Sequence, residues 1–422
     1  MGTGVALRAG PQGPITADQA PRPDLGPLAT IALYPGAMAP GPEIFLVAGE
    51  PSGDTHAAHL VRALRARRPD LSVWGYGGPK LKDAGMDVAH DLASDAIMGI
   101  FPVIAQLPKI WKLFRRVVDA MRERRPLALV LVDYPGFNIR LAAKAHALGV
   151  PVIYYISPQV WAWARGRIAK LARTVDLMLV ILPFEEEVYR GSGMRTIFVG
   201  HPLMDHLRSI EPDVDVIARL RGDSGDEPLV GLFPGSRRHV VDTLLPVFLH
   251  AARALRSRPG TESARFAIAC AQESFADDVR RVIPDDLPAT VEVGHPYEVM
   301  EASDLALTSS GTTTLEIAAH ETPFVLGYRV SPVTYWLGRM LISVDHIGLV
   351  NLVAGRRLVP EHVGVLSFAD AAANDLHRLW TDASARAEQI DGLRQVRERL
   401  ETEGSYSRAA DAIIETIAAN GP

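Results

Sequence analysis

The sequence has a single cysteine and no long apolar run, and both absences narrow the class of protein. Cys270, alone among 422 residues, excludes an internal disulfide and a cysteine-based metal cage. No apolar run reaches the roughly 18 residues that a membrane-spanning helix needs. Lysine and arginine number 44 against 49 aspartates and glutamates, which argues against a nucleic-acid-binding surface. The sequence therefore predicts a cytoplasmic protein that binds no nucleic acid.

The first 42 residues carry no pattern of regular structure. They are rich in proline and glycine, and they lack the charged-then-apolar order of a secretory signal. Such a composition buries too little apolar surface to offset the entropy lost on ordering. We therefore predict that residues 1–42 form a disordered tail.

From Glu43 onward, short unbroken apolar runs alternate with helical patterns. This alternation is typical of a parallel sheet that helices cover on both faces. It stops at a charged segment and then restarts, so we predict an α/β protein of two doubly wound, Rossmann-like domains facing each other across a cleft. The predicted divisions are an N-terminal domain (43–205), a connector (206–227), a second domain (228–380) and C-terminal helices (381–422) that can pack back on the N-terminal domain.

Two loops of small residues follow strands of the predicted second domain. Such loops let backbone N–H groups approach phosphate oxygens, and an arginine adds a bidentate donor. One such loop is more often a plain turn, but two on neighbouring strand ends favour phosphate binding. Glu316 lies one helical turn further on, where it can accept hydrogen bonds from a ribose. The candidate phosphate ligands are Gly235, Ser236, Arg237, Ser310, Gly311 and Thr312.

The strand ends of the predicted N-terminal domain carry carboxylates and other polar groups instead. A carboxylate in a polar shell at a sheet edge suits a general base that activates a hydroxyl. Simpler explanations are a helix N-cap for Asp54, a turn carboxylate for Asp133 and a loop-orienting role for Glu50. The candidate residues are Glu50, Ser52, Asp54, Asp133, Asn138, Ser157 and Gln159.

The segment 96–121 has apolar residues at helical spacing with basic residues on another face. An amphipathic core helix is the usual explanation of such a pattern. The alternative is a patch that dips into an anionic membrane surface through Met98, Phe101 and Trp111. An acylated substrate would favour the membrane patch.

The sequence offers little for a metal ion. Asp213 and Asp215 imitate a metal-binding D-x-D motif, but they lie in the charged connector, where a solvated charge pair is the better explanation. We therefore predict neither a metal nor another cofactor.

A series of short motifs runs along the chain from about residue 43 to residue 361. They are AGEPSGD (48–54), MGI (98–100), DYPGFN (133–138), YYISPQVWAW (154–163), ILPFEEEVY (181–189), VGHPL (199–203), PGSR (234–237), SSGTTTLE (309–316) and NLVAGRRLVPE (351–361). In this order they resemble the lipid-A-disaccharide synthases, with SPQVWAW and VGHPL as the most specific motifs.

The resemblance implies a GT-B glycosyltransferase that joins UDP-2,3-diacylglucosamine to 2,3-diacylglucosamine 1-phosphate. It implies inversion at the anomeric carbon, a β-1,6 linkage and release of UDP without a metal. Asp133 and Glu50 are the implied catalytic candidates, whereas Arg237, Glu316 and Asn351 belong to the UDP side. The implied location is the cytoplasm, with peripheral attachment to the anionic inner face of the inner membrane, and a homodimer is one assembly it allows.

Two other functions fit the same two-domain pattern. A related GT-B transferase with another acceptor, or a UDP-sugar epimerase, would use the same cleft. A non-catalytic binding protein with two α/β lobes is the third hypothesis, and the single predicted crossing between the lobes counts against it.

Overall fold

The computed structural model describes residues 41–92, 100–222, 227–342 and 344–420. Within them, a first parallel sheet is built from β1 (Glu43–Ala48), β2 (Ser72–Gly77), β3 (Asp87–Asp91), β4 (Ala128–Val132), β5 (Val152–Tyr155), β6 (Leu177–Val180) and β7 (Arg195–Phe198). Its helices are α1 (Pro51–Arg67), α2 (Pro79–Asp83), α3 (Ile100–Arg124), α4 (Pro135–Ala147), α5 (Val160–Trp163), α6 (Ile168–Leu171), α7 (Glu185–Arg190) and α8 (Pro202–Arg208).

A second parallel sheet follows along the chain. Its strands are β8 (Leu229–Phe233), β9 (Arg265–Cys270), β10 (Ala289–Val293), β11 (Leu305–Thr308), β12 (Phe324–Arg329) and β13 (Glu361–Gly364). The remaining helices are α9 (Val214–Arg221), α10 (Arg238–Arg256), α11 (Ala276–Val282), α12 (Pro296–Ala302), α13 (Thr313–Ala319), α14 (Pro332–Leu341), α15 (Leu349–Ala354), α16 (Ala369–Thr381), α17 (Ala383–Leu400) and α18 (Ser405–Asn420). The predicted α/β class with two Rossmann-like domains is confirmed.

Strand order gives each sheet a switch point, where neighbouring strands send their following helices to opposite faces. The orders are β3-β2-β1-β4-β5-β6-β7 and β10-β9-β8-β11-β12-β13. The switch points therefore lie between β1 and β4 and between β8 and β11. Ligands of doubly wound sheets bind at this place, beyond the carboxyl ends of the strands.

The strands are apolar because helices cover both of their faces. On β1, Ile44 and Leu46 pack in a buried cluster with residues of α1 and α18, whereas Phe45 and Val47 pack with residues of α3 and α4 on the other face. All four side chains are fully buried. Alternate side chains of this strand point to opposite faces of the sheet, so one apolar run contributes to two hydrophobic cores.

A third buried cluster joins the two halves of the molecule. Trp161 and Leu182 follow strands of the first sheet, yet they share this cluster with Phe233 and Leu315 of the second half. Since Trp161 follows β5 and Phe233 ends β8, the contact lies on the carboxyl side of both sheets. The halves therefore meet at the edges where ligands are expected.

The chain passes between the halves twice, which differs from the single crossing that the sequence predicts. Helix α17 packs on the second half, and α18 returns to pack along α1. Asp205 fixes the return, because its carboxylate accepts hydrogen bonds from the backbone N–H groups of Gly404 (3.1 Å) and Ser405 (2.8 Å). The predicted connector also contains a regular helix, α9, which packs on α12. The number of crossings is thus no argument against a binding protein.

None of the helices in the described ranges is long and apolar enough to cross a membrane.

Candidate active site

A pocket of about 460 Å³ opens at the switch point of the second sheet. The loops after β8 and β11 form its rim, and the ends of β9 and β12 and the first turn of α13 complete it. The residues predicted for this side that line the pocket are Gly235, Ser236, Arg237, Ser310, Gly311, Thr312 and Glu316. The structure therefore brings together seven of the eight residues predicted for the UDP side, and Asn351 is the exception.

The two loops hold backbone N–H groups that no protein acceptor uses. Gly235 and Gly311 have φ values of 122° and 149°, a region that residues with a side chain rarely adopt. A Cβ on Gly235 would also lie 2.9 Å from Cγ1 of Val240. In the described part of the chain, the N–H groups of Gly235, Ser236, Gly311 and Thr312 donate no hydrogen bond to the protein. Unpaired N–H groups on two adjacent loops suit an anion such as a diphosphate.

Two consecutive arginines differ in whether they are free to bind a ligand. Arg238 pairs with Asp242 (3.1 Å) and with Asp278 (2.6 Å). Arg237 is exposed and lines the pocket, and its side chain makes no hydrogen bond or ion pair with the residues that the structure describes. Its guanidinium is thus available for an incoming phosphate, whereas that of its neighbour is not.

Glu316 lies in the first turn of α13 with its carboxylate toward the pocket lining. The phenol of Tyr297 donates a long hydrogen bond of 3.4 Å to Oε1 of Glu316. Burial raises the pKa of Glu316. A buried carboxylate with accepting capacity to spare suits a pair of sugar hydroxyl groups.

Asn351 does not line this pocket. It is fully buried, and its Oδ1 accepts hydrogen bonds from the backbone N–H groups of Leu358 and Val359, both at 2.9 Å. Its Nδ2 donates to the Val359 carbonyl (3.1 Å) and to Oε2 of Glu361 (3.0 Å). The amide is therefore used to fix the loop before β13, and Glu361 in turn accepts from the N–H of Ile347 at 2.7 Å.

At the switch point of the first sheet, Asp133 is held in an uncommon backbone conformation. Asp133 and Tyr134 have φ values of 46° and 50°, which cost roughly 1–2 kcal/mol each for residues with a side chain. The Asp133 carbonyl accepts hydrogen bonds from the Tyr154 hydroxyl (2.6 Å) and from Nδ2 of Asn138 (2.8 Å), while its N–H donates to the Tyr155 carbonyl (3.2 Å). Three partners thus fix the place of the Asp133 carboxylate.

The loops after β1 and β4 are fitted to one another through a glycine. A Cβ on Gly49 would lie 2.2 Å from Cδ1 of Tyr134, so only glycine admits this ring. The close fit brings Glu50 near Asp133. Burial, and then the charge of Glu50, raise the pKa of Asp133 to about 6. A carboxylate with this pKa can take a proton from a hydroxyl near neutral pH.

The structure corrects the expectation for Asp54. Glu50 holds the N-cap position of α1, and Asp54 lies inside the first turn. Its buried carboxylate instead accepts hydrogen bonds from the backbone N–H groups of Gly78 (2.7 Å) and Lys80 (3.0 Å), at the start of α2. Asp54 therefore caps a neighbouring helix, whereas Ser52 is exposed at the beginning of α1.

The SPQVWAW segment contributes two exposed side chains and several buried ones. Gln159 is exposed, but Ser157 is buried, and its hydroxyl lies 2.6 Å from that of Tyr189. Trp161 donates a hydrogen bond from Nε1 to Oε1 of Glu185 at 3.0 Å. Burial raises the pKa of Glu185 to about 7. These buried side chains support the loop, whereas Gln159 and the 44% exposed Trp163 are open to solvent.

The candidate membrane residues are described in part. Met98 lies outside the described residues, and Phe101 belongs to α3 but its side chain is not among those described. Trp111 is 59% exposed on α3, with the guanidinium of Arg115 over its ring at 4.8 Å. Lys112 and Arg116 line the same shallow surface. Trp111, Lys112, Arg115 and Arg116 of α3 thus face solvent.

Sequence reasoning missed the supporting side chains around both switch points. They are Tyr154, Glu185, Tyr189 and Tyr297. The first three lie in the motifs YYISPQVWAW and ILPFEEEVY, so the motifs contained a signal. Tyr154 lies in an apolar run and so has the pattern of a core residue, whereas Glu185 opens a run of three glutamates; only the fold shows which polar group each one holds.

The arrangement combines, on one sheet, a pocket whose loops suit an anion with, on the other, a carboxylate of raised pKa. In the described ranges, no group of three or more His, Cys, Asp and Glu side chains is placed to hold a metal ion. A transfer of a group from a phosphate-bearing donor to a hydroxyl needs these two features, one for the leaving group and one for the nucleophile.

Comparison with protein families gives a match over nearly the whole described chain. The family model of lipid-A-disaccharide synthetase matches residues 44–415. The lipid-A-disaccharide synthase of Myxococcus xanthus (strain DK1622) is 42% identical over 384 residues, which span 90% of this chain and 99% of that protein.

Solved structures share the fold at low sequence identity. The glycotransferase of kitacinnamycin aligns with a TM-score of 0.56 at 17% identity, over 90% of this chain and 99% of its own. The UDP-GlcNAc 2-epimerase from Neisseria meningitidis, solved bound to UDP-GlcNAc, aligns with a TM-score of 0.55 at 11% identity, over 89% and 99%. Since both a transferase and an epimerase have this architecture, the fold does not separate the two activities.

Proposed function

The chain belongs to the lipid-A-disaccharide synthetase family, and from this membership and the two sheet edges we propose how it divides the work of glycosyl transfer. The reaction joins UDP-2,3-diacylglucosamine to 2,3-diacylglucosamine 1-phosphate and gives the β-1,6 disaccharide phosphate and UDP. The second half holds the donor, and the first half activates the acceptor. The observation that carries this proposal is the pocket in which Arg237, Glu316 and the unpaired loop N–H groups meet.

On the donor side, the diphosphate lies on the loops after β8 and β11. The N–H groups of Gly235, Ser236, Gly311 and Thr312 donate hydrogen bonds to its oxygens. The guanidinium of Arg237 adds a bidentate, charged donor. Glu316 accepts from the ribose hydroxyls. As the bond between the anomeric carbon and the diphosphate oxygen breaks, negative charge grows on UDP. Donors that are already in place stabilise this charge without reorganisation, so no metal is required.

On the acceptor side, Asp133 is the general base. It takes the proton of the acceptor 6-hydroxyl while the oxygen attacks the anomeric carbon from the face opposite UDP, which inverts the configuration. Burial, and then the charge of Glu50, keep the pKa of Asp133 high enough for this transfer. Tyr154 and Asn138 hold the Asp133 backbone, and Gln159 and Ser52 are the open polar groups left for the sugar.

Both substrates carry acyl chains, so the protein works at a lipid surface. The exposed Trp111 with Lys112, Arg115 and Arg116 on α3 forms a basic aromatic surface that suits an anionic bilayer. A cytoplasmic protein attached peripherally to the inner face of the inner membrane fits these groups.

The reaction is tested with the two purified lipid substrates in detergent micelles. UDP release should depend on both lipids and persist in EDTA, and mass spectrometry should find the disaccharide phosphate. Release that requires a divalent cation would contradict the donor-side assignment. Conversion of the UDP-sugar without acceptor would favour an epimerase, and UDP release with a different acceptor would favour a related transferase.

A further inference from the structure

Helix α14 presents an apolar stripe to solvent. Val333, Trp336, Leu337 and Met340 are 68%, 66%, 51% and 80% exposed. Their spacing of i, i+3, i+4 and i+7 places them on one face of the helix. A stripe with this spacing usually faces the core of a protein. Its exposure here indicates a binding surface for something outside the described chain.

Both ends of α14 are attached to the rim of the donor pocket. Tyr328 lines the pocket and is followed within four residues by the helix, whose first turn is capped by Ser331 through the N–H of Thr334 at 3.1 Å. Beyond the helix, the Ile347 carbonyl accepts a hydrogen bond of 3.4 Å from Ser310, another lining residue. The stripe therefore lies beside the mouth of the pocket.

The surroundings of the stripe are mainly apolar, with the exposed Arg329 as a basic residue and the exposed Asp345 as an acidic one. Ile342, Ile347 and Leu366 are 40%, 38% and 81% exposed. Nε of Arg329 donates to the Val365 carbonyl at 3.2 Å, which ties the residue before Leu366 to the segment leading into α14. The helix itself contains no carboxylate. An anionic surface with an apolar layer beneath it is complementary to this combination.

We propose that this surface, defined by Val333, Trp336, Leu337 and Met340, inserts into the interfacial layer of a lipid bilayer. It is a second attachment point, on the opposite half from the basic surface of α3, and it turns the mouth of the donor pocket toward the lipid. The inference rests on the proposed function, because only an acylated donor requires the mouth to face a bilayer.

A second copy of the chain is a poorer occupant of the stripe. A ten-residue helix is about 15 Å long, and its exposed face covers far less than the roughly 800 Å² per partner of a stable interface. A bilayer sets no such minimum, since a few interfacial aromatic and aliphatic side chains add to an attachment made elsewhere.

The two attachment points are separated by their dependence on salt. Binding to vesicles of phosphatidylethanolamine and phosphatidylglycerol is measured by co-sedimentation, without substrate, for wild type and variants. At high salt the basic surface of α3 is screened, so the remaining binding depends on the stripe. The double variant W336S/M340S should then lose about tenfold in partition coefficient. Trp111→Glu should reduce binding mainly at low salt.

Matched controls separate the stripe from general effects of exposed apolar residues. Val282→Ser removes a 53% exposed valine of α11 and should leave binding unchanged, whereas Val333→Ser should lower it. Trp336→Phe keeps the stripe apolar, so it should keep the binding but lose part of the fluorescence quenching by brominated acyl chains. Affinity for UDP should be the same in all these variants.

Three results would overturn the inference. The first is a partition coefficient of W336S/M340S equal to that of wild type at high salt. The second is a molar mass of W336S/M340S, measured by light scattering, that differs from that of wild type, because the stripe would then bind a second copy of the chain. The third is a higher KM for the diacylated donor with unaltered vesicle binding, which would assign it to the donor chains alone. Vesicle binding is measured without turnover, so it is judged separately from the proposed reaction.

Discussion

The hydroxyl of Tyr154 donates a hydrogen bond of 2.6 Å to the main-chain carbonyl of Asp133. The proposed base is thus held by a side chain that never touches a substrate. Tyr154 is fully buried on β5, and the residue that it holds adopts a left-handed backbone. Backbone strain of this kind persists only where several surrounding contacts enforce it. Here the same contacts fix the direction of the Asp133 carboxylate.

Tyr154→Phe should therefore loosen the base as well as the fold. Loss of the hydrogen bond leaves a buried carbonyl with one partner fewer, so the free energy of unfolding should fall by about 1–2 kcal/mol. A carboxylate that is displaced by a fraction of an ångström should lower kcat by about tenfold. Denaturant unfolding and single-turnover kinetics measure the two effects.

The next residue supplies the control. Tyr155 is also fully buried on β5, but its hydroxyl finds no hydrogen-bond partner among the described residues. Tyr155→Phe should be neutral or slightly stabilising, because it removes a buried polar group that has no partner. Equal losses of kcat in the two variants would contradict the positioning role of Tyr154.

Gly49→Ala tests the fit between the first two loops. The new Cβ would lie 2.2 Å from Cδ1 of Tyr134, so the ring and the neighbouring Asp133 must move. We expect kcat to fall by about 10- to 100-fold. Gly53, in the same motif, meets nothing closer than 3.8 Å, and Gly53→Ala should stabilise α1 by about 0.5–1 kcal/mol with normal turnover. A normal rate for Gly49→Ala would show that the fit is not needed.

The pH dependence of the rate should report Asp133. As a base it works only when deprotonated, so kcat/KM should fall as the pH drops through about 6. Glu50→Gln removes the like charge, and the acid limb should then move to lower pH. Glu187→Gln, which changes an exposed carboxylate paired with Arg190, should leave the limb in place. An unshifted limb in Glu50→Gln would exclude this coupling.

Asp133→Asn should inactivate the protein and yet stabilise it in alkaline solution. The folded pKa of Asp133 is raised from 3.8 to about 6, so the protonated form is favoured in the native state. Ionised Asp133 therefore costs stability above about pH 6, and the amide removes about 1–2 kcal/mol of this cost. The gain should vanish below pH 3.8, where the carboxyl is neutral in both states. Urea unfolding at several pH values measures it.

The sequence predicts the fold well because apolar runs and helical periods are local signals. It also predicts the two switch-point loops, since two loops of small residues after neighbouring buried strands are a stronger signal than one. Long-range partners lie beyond such reasoning. Asp54 caps a helix whose N-cap residue, Gly78, lies 24 residues later, and the Asn351 amide serves the loop before β13 rather than the pocket. A polar residue looks the same in sequence whether it binds a ligand or a neighbouring backbone.

Arg237→Ala tests the donor pocket directly. The side chain of Arg237 lines the pocket and has no partner among the described residues, so its guanidinium is free for the diphosphate. Removing one donor to a developing negative charge should cost kcat/KM about 10²- to 10³-fold. Affinity for UDP, measured by calorimetry, should fall as well, because the same group contacts the product.

The adjacent arginine is the matched control for this substitution. Arg238 pairs with Asp242 and Asp278, and it therefore has no free guanidinium for a ligand. Arg238→Ala changes the net charge by the same amount at the neighbouring position, and exposed ion pairs contribute only about 0–1 kcal/mol to stability. Its kcat/KM should stay within about twofold of wild type, since long-range charge effects are screened by salt. If the two variants lose activity equally, the loss reflects the positive electrostatic potential of the loop. That result would contradict a direct contact between Arg237 and the diphosphate.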